Sequence, residues 1–585
     1  MPCVSSNHYL LLSIRNPRKY SQYFFVHSAG VFIASSLPVE FASLSALTSL
    51  SIQKASYASS HHSLYKPPSM IPPLTSLNHL THLSIDIDDF ASLDGISDLR
   101  YLTSLEVFRG GDQPIPEEVG LIWNLKHLAF HELQLKPNQQ MIPDRVLSYL
   151  PALESLLVYG CFLGSAKKES VLAPDPAIFE LSNYVGTLQN IQNISITNCK
   201  GSVQGIFPSN IGKLNKLRHL SLAGIVENAT LPSSLFDMEN LTYLDLSANK
   251  IQTRLPEKGF AKLSRLETLK LEGNHLFGGI PREISELNSL QYIDLSYNDL
   301  TGQIPYFHEQ NNLTTLMLHE NQLTGNLFEG LCSLEKLNTL SLSGNSFKLF
   351  DSECARKLIN LQYLYLSETG YSGTFPSEFL TMTELKSLHM SMNNVTGTLP
   401  GSIGHLRKLT SLHLDYTSLS GLIPVELGSL QHLSIVSMQG NSLSGPLPMT
   451  LCGASNATLL NFGENSLTSL PSCFGEMENL KYLLVNTNKI TGVLPSDFGS
   501  LRNLIQMDLS ENSLSSSIPK EIGQLRALKS LNLSNNSFTG AIPDSLGGLT
   551  RLENLDLKNN NLVGSIPVSF VNMSDLGKAY VSTRS

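Results

Sequence analysis

No window of this 585-residue chain offers the roughly 18 or more apolar residues that a membrane-spanning helix requires. An excess of charge of one sign is lacking too. Forty basic residues against 49 acidic ones leave a formal charge of -9, evenly spread, which points neither to nucleic acid nor to a polybasic membrane patch. The common catalytic signatures are missing as well: there is no G-x-S-x-G elbow, no H-E-x-x-H and no paired CxxC. Asp497-Phe498-Gly499 spells the metal-binding triplet of protein kinases, but the glycine-rich phosphate loop, the lysine strand and the H-R-D loop that must accompany it are absent. In context, PSDFGSLRNL parallels PDSLGGLTRL and reads as an ordinary turn segment. The expectation is a protein that is not an enzyme and uses no cofactor and no metal.

What is present is repetition. NLKYLLVNTNKITGVLP, NLIQMDLSENSLSSSIP, ALKSLNLSNNSFTGAIP and RLENLDLKNNNLVGSIP follow one another with asparagine at 488, 512, 536 and 560, a fixed interval of 24 residues. A fixed period of this length marks a solenoid, which grows by adding repeats that each contact only their neighbours. In Leu552, Leu555 and Leu557 the spacing of three and then two lets a short strand point alternate side chains into a stacked core. The asparagine that follows can both donate and accept, so a ladder of such side chains can satisfy the backbone groups of successive coils. Gly564 and Pro567 complete the turn, the glycine permitting positive φ and the proline fixing the restart of the outer side.

The regular coils place Asn249, Asn274, Asn298, Asn321, Asn345, Asn393, Asn441, Asn465, Asn488, Asn512, Asn536 and Asn560 at the ladder position, with Thr369 and Thr417 as exceptions. Seven degraded coils precede them, with core triplets from Leu47, Leu50, Ile52 to Leu217, Leu220, Leu222 and no asparagine at the ladder position. The total is about 21 coils. The resulting division is an N-terminal segment over 1–36, irregular repeats over 37–240 with inserted loops near 57–70 and 164–178, regular repeats over 241–572 and a tail over 573–585. Two readings stand for the first segment. Arg15, Arg18 and Lys19 before the apolar run from Tyr23 to Ala34 fit a secretion signal, whereas Tyr23, Val26, Val31 and Ile33 fit a worn first repeat.

Cys332 with Cys354, and Cys452 with Cys473, are each about one coil apart, while Cys161 and Cys199 share the ladder position of adjacent coils. Either an oxidising compartment or small reduced fillers accounts for them. The spacing favours disulfides for the first two pairs and free thiols for Cys161 and Cys199. Nine N-x-S/T sequons occur, a number to which chance in an asparagine- and serine-rich chain also contributes. Asn240 and Asn312, just ahead of a strand and outside the ladder, are the better glycosylation candidates; Asn532 faces the open side of the strands.

That open side is where a ligand is to be sought. Four positions before the ladder, the outward column is mostly small or acidic until Tyr365, His389 and His413 occupy three successive coils, flanked by Tyr363, Asp415 and Tyr416, with His319 two coils earlier. Aromatic side chains with polar tips provide area and hydrogen bonding together, as binding hot spots do. A bare solvated strand face is the alternative.

The phrase LxxLxLxxNxLxGxIP resembles the plant-type leucine-rich repeat. The coils from about 240 to 572 are similar to the ectodomains of plant leucine-rich-repeat receptor kinases, of receptor-like proteins without a kinase, and of polygalacturonase inhibitors. The resemblance implies an α/β-type solenoid, a curved superhelix with short parallel strands on the concave face and turns or 3-10 segments on the convex face. It also implies recognition of a protein or peptide, with a co-receptor as a further partner, at the cell surface or outside the cell. The chain departs from the family pattern in having no tryptophan-and-cysteine N-terminal cap, no paired-cysteine C-terminal cap, and no membrane helix or kinase. The last coil is expected to have a poorly covered edge, as in a fragment of a larger receptor. An intracellular, cytoplasmic scaffold and an inhibitor of a secreted hydrolase are the competing functions.

Overall fold

The computed structural model describes residues 230–307 and 312–582 without a break. Before them it describes 8–16, 19–28, 47–54, 77, 79–87, 93, 95–109, 114–135, 142–163, 177–180, 183–200 and 203–225. The chain forms two compact units, residues 1–300 and 301–585. The anticipated insertion near 57–70, and all of the second one near 164–178 except residues 177 and 178, lie outside the described residues.

In the second unit, twelve short strands from Thr315–Met317 to Lys578–Tyr580 run parallel. Their middle residues stand in one register, Leu316, Leu340, Leu364, Leu388, Leu412 and onward, and the leucines of this column are at most 1% exposed. Burying a leucine contributes on the order of 2 kcal/mol, so this column and its two neighbours form the core of the unit. Five-residue 3-10 segments, such as Val425–Ser429 and Lys520–Gln524, begin after Pro424 and Pro519. Proline suits that place because its fixed φ matches the turn and its missing N–H has no partner to lose there. These segments lie close together: a Cβ on Gly428 would stand 1.8 Å from the Thr450 carbonyl oxygen.

The main sheet of the first unit contains ten parallel strands among its described residues, from Ser49–Lys54 to Tyr292–Asp294. Its N-terminal strands, His8–Asn16 and Lys19–Ser28, form an antiparallel hairpin whose first strand also pairs antiparallel with Ser49–Lys54. A worn repeat would have added a parallel strand, so that expectation is corrected for Tyr23 and Val26; Val31 and Ile33 lie outside the described residues. The tail is corrected too, since Lys578–Tyr580 adds one more parallel strand beside Asn554–Asp556.

The ladder asparagines tie each coil to the one before. Asn536 donates from Nδ2 to the carbonyls of Leu533 (3.2 Å) and Ser534 (3.2 Å) in its own coil and of Leu509 (2.9 Å) in the preceding one. Its Oδ1 accepts the N–H of Leu514 at 3.0 Å. Asn274, Asn298, Asn345, Asn393, Asn441, Asn465, Asn488, Asn512 and Asn560 each donate in the same way to their own and the preceding coil. Asn249 bonds Leu222 and Leu246, and Asn321 bonds Leu318. Thr369 is too short for this. Its Oγ1 reaches Leu366 of its own coil, and the Phe347 N–H turns to the Thr369 backbone carbonyl at 2.8 Å.

In three successive coils where asparagine is missing, the strands do not stop. His127–Leu135, Ser155–Leu163 and Asn193–Lys200 run on for eight or nine residues instead of three and keep pairing through Leu133, Cys161 and Cys199. Cys161 and Cys199 therefore face each other with Cα atoms 4.3 Å apart and form a disulfide, contrary to the expectation of free thiols. Replacing Asn536 by Ala should cost about 1–3 kcal/mol, because buried carbonyls and the Leu514 N–H lose their partner. Denaturant unfolding together with hydrogen exchange at Leu514 checks this; an unchanged midpoint with unchanged Leu514 protection contradicts it.

Candidate functional site

The candidate site lies within the second unit, on the strands Tyr363–Tyr365, Ser387–His389 and Ser411–His413. Parallel pairing places Tyr365 beside His389 and His389 beside His413. Their core-facing neighbours Leu364, Leu388 and Leu412 are fully buried, which leaves the alternate side chains on the open face. The Tyr365 and His389 rings meet edge to face at 4.9 Å, and the His389 and His413 rings lie 4.2 Å apart. Tyr363, at the start of its strand, carries the Lys386 ammonium 5.9 Å from its ring centroid. His319 stands two strands away from Tyr365, about 10 Å by strand spacing, and does not join the stack.

Asp415 fixes the far end of this row. Its Oδ1 accepts from the Ser437 hydroxyl and from the Gln439 N–H at 2.9 Å, and its Oδ2 accepts from Ser391 Oγ at 3.3 Å and lies 3.8 Å from His413 Nδ1. One carboxylate thus joins three successive coils. Burial opposes its charge, but the hydrogen bonds from His413, Ser437 and the Gln439 backbone prevail and hold its carboxyl below the usual range. Burial, reinforced by the adjacent His413 imidazole and only partly offset by Asp415, pushes His389 down to about 4. Burial also raises the Tyr365 phenol. The Tyr365 and His389 rings are therefore neutral at neutral pH, and the row presents aromatic rings with polar edges beside the engaged Asp415. Among the described residues, no three metal-ligating side chains converge.

Tyr416 sits at the edge of the strand face with φ +50°. Its hydroxyl accepts from Gln439 Nε2 at 2.8 Å and donates to Glu464 Oε1 at 3.3 Å. Gln439, Glu464, Ser391 and Ser437 were not singled out from the sequence, because each acts from another coil, one or two away. A second aromatic group, in the first unit, was also missed. There the Lys270 ammonium lies 6.0 Å from the Tyr243 ring and 5.3 Å from the Tyr292 ring, and His219 stacks on Tyr243 at 4.1 Å. The signal for it lay six positions before the ladder, where His219, Tyr243 and Tyr292 recur.

The remaining candidates have structural settings. Cys332–Cys354 and Cys452–Cys473 form disulfides that join adjacent coils on their outer side. Asn240 Nδ2 donates to the Asn215 carbonyl of the preceding coil at 2.7 Å, and Asn360, Asn456, Asn479 and Asn503 repeat this bond at the same repeat position. A second, outer asparagine ladder thus competes with glycosylation at Asn240. Asn312 occupies the same repeat position, and its Oδ1 accepts from Lys336 Nζ at 3.1 Å.

The chain matches family models for leucine-rich repeats over residues 170–356, 384–406, 408–430, 478–538 and 526–578, together more than half its length. No curated protein matches it. Among solved structures it is similar to the plant peptide hormone receptor RGFR1 in complex with RGF2, with 27% identity, a TM-score of 0.69, and 87% of this chain and 83% of that chain covered. It is also similar to the ectodomain of the Arabidopsis receptor kinase HAESA in complex with an IDA peptide hormone, with 28% identity, a TM-score of 0.71, and 86% and 82% coverage. A further HAESA complex, with IDA and the co-receptor SERK1, matches at 27% identity and a TM-score of 0.71 over 90% of this chain and 85% of that one. Among the described residues no helix is long and apolar enough to cross a membrane. The chain belongs to the leucine-rich-repeat family, and its repeats are of the plant type.

Proposed function

We propose that the protein is a recognition module that binds a peptide or protein ligand on its strand face, with Tyr365, His389 and His413 as the centre of contact and Tyr363, Asp415 and Tyr416 around them. The observation that carries this reading is the stack itself, in which three half-buried aromatic rings replace the small or acidic residues of neighbouring coils. Elsewhere in that column, Asp294 and Asp508 are occupied in bonding Ser296 and Ser510 of their own coils. His319, two strands away, belongs at most to the margin of the contact. The likeness to receptors that hold peptide hormones, one of them together with a co-receptor, supports a peptide ligand, a second protein partner and a place at the cell surface or outside the cell.

The double variant Tyr365→Ala, His413→Ala should weaken ligand binding by about 30-fold or more, as loss of a hot spot of about 2 kcal/mol does, and leave the melting temperature within a few degrees. The test is affinity capture of secreted peptides on the wild-type protein, followed by calorimetry of the synthesised peptide with both proteins. Equal binding refutes the reading. The imidazole of His389 should remain neutral at pH 5.5. In the unfolded chain it takes up its proton near 6.5 but in the fold only near 4, so the unfolded state binds more protons between these values and stability falls as pH drops through that window. A histidine NMR titration with an inflection for His389 above pH 6 contradicts this.

A further inference from the structure

Beside the strand face, the second unit contains an open recess of about 430 Å³ lined by Gly370, Tyr371, Met392, Asn393, Asn394, Tyr416 and Ser418. Its size is that of a small ligand site. Three features of the chain create it. Gly370, Asn394 and Ser418 take the position just after the ladder in three successive coils, and Gly370 contributes no side chain there. Met392 and Tyr416 take the position just before the ladder, where the backbone is left-handed, φ +58° and +50°; glycine serves there at 344 and 440, but other side chains, Tyr297 and Glu464 among them, adopt it too. The two side chains are 55% and 45% exposed, facing solvent rather than the core. The Tyr416 ring lies over Gly440, where an added Cβ would meet its Cδ1 at 2.3 Å, and its hydroxyl is held by Gln439 and Glu464. This wall is set before any ligand arrives.

The polar groups of the recess are already engaged. Ser418 Oγ donates to Asn394 Oδ1 at 3.0 Å, Asn394 Nδ2 donates to Ser372 Oγ at 2.8 Å, and the Tyr371 hydroxyl donates to the Thr374 carbonyl at 2.6 Å. Asn393 serves the ladder. No ionised side chain lines the space. A charged guest would lose its hydration without gaining a partner, whereas an apolar one gains contact with a thioether and two aromatic rings. We propose that this recess is a side-chain subsite that takes one uncharged apolar side chain of the bound peptide. Tyr416 is its shared wall with the strand-face row, and Asp415, next in sequence, anchors that row. The assignment rests on the strand-face reading for the path of the ligand, but its test does not.

The probes are N-acetyl-leucine amide and N-acetyl-phenylalanine amide, with the aspartate and lysine amides as controls. The readout is the 13C-methyl NMR signal of Met392, identified among the 13 methionines by its disappearance in Met392→Leu. The Met392 methyl should move with the leucine and phenylalanine amides, saturating at about 1–10 mM, as expected for so few atoms, and stay in place with the charged amides. Ser418→Trp, at an exposed strand position, should abolish the shift by filling the recess, and Tyr416→Ala should weaken it about tenfold by removing a wall. An unmoved Met392 methyl, equal shifts with charged amides, or a glycan on Asn394 in protein from its own cells overturns the assignment. A Met392 response combined with unimpaired ligand binding by the Tyr365→Ala, His413→Ala variant leaves the subsite standing and removes the strand-face reading.

Discussion

Most of the regular coils of this protein depend on a side-chain amide that belongs to the next coil. Short strands of three residues leave backbone groups at both ends, and the turn after them lies inside the solenoid where water cannot serve. The ladder asparagine fills that need with one group: its NH2 closes its own turn and reaches the preceding coil, and its oxygen takes a preceding N–H, as Asn536 does with Leu533, Leu509 and Leu514. The leucine column supplies most of the burial energy, but leucine packing alone is tolerant of register. In the coils that carry it, the amide closes the turn where the strand ends.

The consequence is visible where the amide is replaced. In the first unit, Leu133, Cys161 and Cys199 occupy the position, the strands run on past it, and a disulfide forms between the two cysteines. In the second unit, the two threonine substitutions, Thr369 and Thr417, fall in the coils that carry Tyr365 and His413, with the intact Asn393 between them. Threonine spares the strand end: the single hydroxyl proton of Thr369 and of Thr417 lies within reach of two acceptors, the Leu366 or Leu414 carbonyl of its own turn and Asn393 or Asn441 Oδ1 of the next coil. The links to the preceding coil pass instead to backbone, as with Phe347 and Thr369, and to Asp415, which bonds Ser391 behind it and Gln439 ahead. The candidate site and the altered ladder thus occupy the same three coils.

How much of this was legible in the sequence follows from the range of each interaction. The leucine triplets and the asparagine were readable because a period of 24 repeats a purely local demand, and fixing the register of one strand fixes the neighbours of Tyr365, His389 and His413. The bridging role of Asp415 was not, because aspartate takes the place that serine holds in neighbouring coils, and its partners Ser391, Ser437 and Gln439 lie in other coils. Asn240 shows a different failure: the pattern of asparagine at a fixed place before the strand was there, repeated at Asn360, Asn456, Asn479 and Asn503, but it was read as a modification site and not as a second ladder. Lys578–Tyr580 was missed because an alanine stands where the core column has a leucine, and the antiparallel hairpin over residues 8–28 because its apolar run is compatible with a leader, a repeat or a hairpin. The recess between Met392 and Tyr416 depends on side chains three coils deep that no single repeat displays.

The most direct test of the central claim is photo-crosslinking with p-benzoylphenylalanine placed at His389 and, separately, at Asn532, which holds the same repeat position in a coil outside the stack. With the secreted fraction of the protein's own cells, a peptide adduct should form at position 389 and not at position 532. An adduct at 532 with none at 389, or equal labelling at both, would mean that the ligand does not read the Tyr365, His389 and His413 row.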